Sequence, residues 1–143
     1  MNELQRQRDY LALCEAKARM CRYLDSKNWP AYAALLTEDY QLDISEGTGI
    51  PVIQGREAAL ARVRASIESA RTVHQVHAPE IEIEGDEARA IWALQDRLIF
   101  ANGAGMSGYG HYHERWVRRE GQWRIAALKL TRLLVEMQPP PQA

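Results

Sequence analysis

Asp96 stands alone on an apolar face. Ala88, Ala90, Trp92, Leu94, Asp96, Leu98 and Phe100 share one parity of a strand-like run, and only the aspartate is polar. A carboxylate on such a face is costly unless it is paired or hydrogen-bonded. The nearby segment Thr72-Val73-His74-Gln75-Val76-His77-Ala78-Pro79 supplies two imidazoles. An aspartate bonded to an imidazole fixes its tautomer and favours its protonated form, so the ring can carry a proton. The expected chemistry is general acid–base work, with His74 moving the proton and Asp96 orienting it. His77, three residues on, falls on the opposite face of a regular strand and is expected to line the pocket or serve structure. His111 and His113 have same-face spacing suited to chelation. Neither a second short-spaced His/Cys group nor a helical HExxH motif accompanies them, and no metal is expected.

Two phenols could donate to a developing oxyanion: Tyr23 from the first helix and Tyr112 from a later strand. Met20, Trp92, Leu94, Leu98 and Phe100 then read as apolar walls suited to a ring-bearing molecule. Met106, among Gly103, Gly105 and Gly108, reads as part of a hairpin able to act as a lid.

Several elements must position these groups. From about Glu3 to Asp25, apolar residues recur at three and four spacing, which predicts a long amphipathic helix. Ser26-Lys27-Asn28 breaks it, and 29–36 starts a short helix with Pro30 in its first turn, closed by Thr37-Glu38-Asp39. Tyr40 to Ile44 reads as a short strand, and 55–69 as a third helix. Four strands then follow over 73–84, 88–100, 108–119 and 122–136, with turn signals at Gly85-Asp86, Asn102-Gly103 and Glu120-Gly121. Helices first and an antiparallel meander second give an α+β fold, in which a curved sheet wraps the helices into a cone. Residues 1–138 form one domain; the Pro-rich tail, 139–143, is expected to be disordered.

Composition narrows the function. Over 143 residues, 18 basic side chains balance 19 acidic ones for a net charge of −1, without a basic stripe, so nucleic acid is not an expected partner. Cys14 and Cys21 lie about two turns apart on one helix, roughly 10 Å, too far to bridge, and read as reduced thiols. The N-terminus is polar, and no run reaches the roughly 20 apolar residues of a membrane helix. A cytoplasmic protein without a membrane partner is expected. The glycine-rich stretches lack the strand-to-helix context of a phosphate loop or nucleophile elbow.

The order of elements, with Arg22-Tyr23-Leu24-Asp25-Ser26-Lys27-Asn28-Trp29, Thr72-Val73-His74, His77-Ala78-Pro79-Glu80-Ile81, Trp92-Ala93-Leu94-Gln95-Asp96, Gly110-His111-Tyr112-His113-Glu114 and Glu120-Gly121-Gln122-Trp123-Arg124-Ile125, resembles SnoaL-like members of the nuclear transport factor 2 (NTF2-like) superfamily. The resemblance covers roughly residues 8 to 136 and implies the cystatin-like cone. Within it the look-alikes are the bile-acid 7α-dehydratases and, more distantly, the scytalone dehydratases, lyases that need no cofactor. It implies His74 and Asp96 as the catalytic histidine and aspartate. The first-helix tyrosine of that pattern falls on Met20, and Tyr23, one turn later, is the nearest phenol. The implied reaction is dehydration of a hydrophobic, ring-containing hydroxylated molecule. Carbon–carbon cleavage and double-bond isomerisation would use the same proton transfers, and the superfamily also holds non-catalytic modules. A homodimer or homotrimer is implied as well; Trp116 and Trp123, read as exposed-side aromatics, are candidates for that contact or for covering the sheet beneath a helix.

Overall fold

The computed structural model describes residues 2–142. Helix α1 spans Glu3–Ser26. The Asn2 side chain caps its start by accepting from the Gln5 N–H at 2.8 Å, and Lys27, at φ 59°, ends it by returning its N–H to Leu24. Leu13, Ala16, Met20 and Leu24, at three and four spacing, form its buried stripe. Asn28 caps α2 (Trp29–Ala34), with Pro30 in the first turn. Then come β1 (Leu36–Asp43), a short turn α3 (Ser45–Thr48), β2 (Ile53–Gln54), α4 (Arg56–Ile67), and the long strands β3 (Arg71–Glu84), β4 (Glu87–Ile99), β5 (Gly105–Arg119) and β6 (Gln122–Gln138).

The six strands form one sheet in the order β2-β1-β6-β5-β4-β3. The β3–β6 meander is antiparallel as expected. β1, however, begins at Leu36 rather than Tyr40 and runs parallel to β6. The cause is non-local: Ile125 donates its N–H to the Leu35 carbonyl, and Leu36, Tyr40 and Leu42 enter the core. The helices cover one face, and the expected apolar run of β4, Ala88 to Leu98, is buried against them. The other sheet face carries no helix.

Two local expectations change. Trp116 and Trp123 are buried in the core rather than on an exposed side. Met106 belongs to β5, not to the hairpin, which tightens to 100–104. In the tail, residues 139–142 are irregular, and the Pro141 ring lies against Gly103. Gly110 sits at a β-bulge, where a Cβ would come within 1.9 Å of the Thr131 carbonyl oxygen, so no side chain fits.

A buried polar network lies beneath the site. Lys17, fully buried on α1, pairs with Glu114 of β5, and its ammonium stands 3.9 Å from the centroid of the Tyr112 ring. Glu114 also accepts from the indoles of Trp92 (2.6 Å) and Trp116 (2.9 Å). Each carboxylate oxygen is therefore satisfied, as burial of a charge requires.

Candidate functional site

The last turn of α1 lies across the start of β3 and brings Asp25 to His74. The His74 Nδ1 is 2.7 Å from Asp25 Oδ1, and the His74 backbone N–H donates to Oδ2 at 2.9 Å. The Thr72 hydroxyl donates to Oδ1 at 3.0 Å and in turn accepts from the Lys27 ammonium at 2.7 Å. Burial pushes the Asp25 carboxyl up, but the hydrogen bonds and charge of His74, with Thr72, outweigh it and hold Asp25 below the ordinary carboxylate range. An ionised Asp25 places the imidazole proton on Nδ1 and leaves the Nε2 lone pair free. No hydrogen bond occupies Nε2 among the described residues.

The expected His74–Asp96 hydrogen bond does not form, although the two residues are direct partners across β3 and β4. Asp96 instead takes the fork of Arg132 from β6, at 2.7 and 2.9 Å. A guanidinium satisfies both carboxylate oxygens at once, which one imidazole cannot do. Gly108 of β5 lies between them: a Cβ there would fall 2.3 Å from Arg132 Nη1 and 2.5 Å from Asp96 Oδ1. The missing side chain lets the fork close.

His74, Asp96 and Arg132 reach the same internal cavity, of about 280 Å³. Met20 and Leu24 of α1, Tyr32, Tyr40 and Leu42, Val63 and Ile67 of α4, Leu98, Met106, Tyr112, Leu128 and Leu130 supply its apolar and phenolic wall. Met20, Leu98 and Tyr112, named as wall candidates from the sequence, lie in this cavity's lining. Burial, with the Asp96 charge next, raises the Tyr112 phenol well above its ordinary pKa, which keeps its proton in place. Glu46, from the α3 turn, accepts the Arg132 backbone N–H at 3.0 Å and fastens that turn beside the cavity.

Other expectations are corrected. Tyr23 does not line the cavity; it is half-buried beside it, with the Arg22 guanidinium 4.9 Å from its ring centroid. Trp92 and Leu94 are core residues behind the wall, because Trp92 turns its indole to Glu114. His77 is exposed in an outer groove formed by α1 and β3, where Asp25, Cys21 and Arg22 also lie. His74 borders both spaces and forms the partition. Burial raises the Cys21 thiol, which disfavours the nucleophilic thiolate. His113 meets the Thr131 hydroxyl at 3.1 Å, with its ring 6.2 Å from that of His111. Among the described residues no three His, Cys, Asp or Glu side chains gather to hold a metal ion.

Asp25 and Arg132 escaped the sequence reading for different reasons. Asp25 ends the first helix as read from the sequence, just before the Ser26-Lys27-Asn28 break, where a charged residue looks like an ordinary solvated helix end. Arg132 carried a usable signal: Ala126, Leu128, Leu130 and Arg132 share one parity, with a single charge at the end of an apolar run. The argument that selected Asp96 applies to it unchanged.

The SnoaL-like domain family matches residues 5–129, from the first helix into the last strand. The chain belongs to the SnoaL-like domain family. A curated relative, the probable cyclase FGR4 of Gibberella zeae, is 25% identical over 129 residues, covering 82% of this SnoaL-like chain and 86% of the relative. Among solved structures, a variant of the function-unknown protein Rv3472 of Mycobacterium tuberculosis is 27% identical, with a TM-score of 0.78 over 92% of this chain and 76% of that one. A type 2 hexachlorocyclohexane dehydrochlorinase, LinA, is 16% identical, with a TM-score of 0.85 over 99% of this chain and 97% of that one. This last likeness bears on the SnoaL-like fold alone.

Proposed function

We propose that this SnoaL-like protein is a cofactor-independent lyase that eliminates water from a compact, hydrophobic, ring-containing hydroxylated molecule. The observation that carries the reading is His74: its Nδ1 rests on ionised Asp25 while the ring borders the cavity. The free Nε2 takes a proton from carbon beside a carbonyl, and the C–H electron pair moves toward that carbonyl as an enolate. Arg132 and Tyr112 donate to the developing negative charge. The electron pair then returns to form the carbon–carbon double bond, and the hydroxyl departs with the proton from Nε2 as water. Asp96 takes no proton here; it neutralises and aims Arg132.

The cavity volume sets the substrate size. About 280 Å³ lies at the small end of ligand sites, roughly 300–1,000 Å³, which favours one or two rings over a larger polycycle. The relative named a probable cyclase also bears a name that fits proton removal from carbon. Hydroxylated one- and two-ring ketones, screened for water loss by the absorbance of the conjugated product, test the reading; conversion abolished by His74→Gln is the expected outcome. We further propose self-association as a homodimer or homotrimer through the helix-free sheet face, where Tyr109 and Leu134 are cross-strand partners and both exposed.

A further inference from the structure

Arg62 is a charged cavity residue that the elimination chemistry leaves unused. Arg132 forks Asp96 and His74 rests on Asp25, so the other Asp, His and Arg side chains there have partners within the protein. Arg62 of α4 borders the same cavity yet is exposed, at its solvent side. Among the described residues it has no carboxylate within salt-bridge distance. The sequence of α4 explains this. A helical charge finds its partners three or four positions away, and Arg62 has Ala58, Ala59, Ala65 and Ser66 there. The Ser66 hydroxyl is turned to the Arg62 carbonyl at 2.9 Å. Neighbouring arginines are engaged: Arg64 holds Glu68 at 2.9 and 3.0 Å, and Arg56 reaches the Leu36 carbonyl at 3.4 Å. Beside Arg62, Val63 and Ile67 turn apolar surface to the cavity.

We propose that Arg62 binds a carboxylate on a ligand whose ring occupies the cavity. The inference deepens the functional reading by naming the substrate class: a compact alicyclic β-hydroxy ketone that also carries a carboxylate, with its ring inside, its reacting carbon at His74 and its acid group at the mouth. The planar guanidinium matches a carboxylate in a two-point fork. A carboxylate held at the rim keeps part of its hydration, whereas one buried inside would meet Asp96 and lose it. An exposed pair of this kind is worth about two- to fivefold in affinity.

The experiment measures equilibrium binding of a hydroxynaphthoic acid and of its methyl ester to the wild type, Arg62→Gln and Arg62→Glu, at low and high salt. The wild type is expected to bind the acid about two- to fivefold more tightly than the ester. High salt should shrink that preference. Arg62→Gln should abolish it and Arg62→Glu reverse it, with ester affinity unchanged. Equal binding of acid and ester by the wild type, acid preference that survives Arg62→Gln, or failure of both probes to bind would overturn the proposal. Because only binding is read, loss of the His74 mechanism would leave this result standing. Conversely, failure here would leave elimination from neutral substrates intact.

Discussion

Asp25→Asn keeps nearly the shape of the Asp25 carboxylate but removes the charge that fixes the His74 tautomer. Turnover should fall by about 10² or more with little change in KM, because the loss is felt as the imidazolium forms. Steady-state kinetics on any substrate found checks the split. The same substitution has a pH signature in stability. Asp25 has a lowered pKa in the folded protein, so its contribution is full above the unfolded value of about 3.9 and is lost as pH falls toward the folded value. The stability gap between wild type and Asp25→Asn should therefore be constant near neutrality and narrow below about pH 4, read by denaturant titration. Gly108→Ala tests the second pair. Its methyl would meet Arg132 and Asp96 and force the fork to shift, an overpacking cost of about 1–3 kcal/mol read as a lower denaturant midpoint. At this scale the sequence revealed the buried charge of Asp96, because it interrupts a periodic apolar run. It concealed Asp25, whose importance comes only from a long-range contact with β3.

α1 joins the two halves of the site, carrying Lys17 and Met20 on its inner stripe and Asp25 at its end. Lys17→Met would leave the Glu114 carboxylate buried without its cation. The expected loss is about 3–5 kcal/mol of stability, measurable as a lower denaturant midpoint. Tyr112 would lose the ammonium over its ring, so its placement in the cavity should loosen too. The long elements were legible because their periods are strong: three-and-four spacing in α1 and α4, alternation in β3 to β6, and turn pairs between them. β1 was only half legible. Its parallel partner β6 lies more than eighty residues away, and local turn chemistry carries no trace of such a pairing. Trp123 was misplaced for a related reason. The register shift between Arg115 and Trp116 leaves Ala126 as an extra residue on β6, so a two-residue count back from Leu128 fails. Trp116, by contrast, keeps the buried parity of Tyr112 and Glu114 and was open to a regular count.

Across the described residues, the helices lie on one sheet face around the cavity bordered by His74 and leave the other face bare, while no helix is long and apolar enough to cross a membrane. Self-association through that bare face should appear in sedimentation velocity as a dimer or trimer, and Tyr109→Glu with Leu134→Glu should shift it to monomer. The cone follows from the general pattern of helices first and a long meander second. Its chemistry follows from which charges face inward, and only a folded chain sets Asp25 behind His74 and Arg132 beside Asp96. The measurement that bears most directly on this account is elimination itself, followed over a panel of hydroxylated one- and two-ring ketones with wild type, His74→Gln and Asp25→Asn. The wild type should convert at least one compound, with His74→Gln slower by about 10² to 10⁴ and Asp25→Asn also impaired. Conversion that survives His74→Gln, or no conversion of any member, would contradict the assignment of His74 as the base.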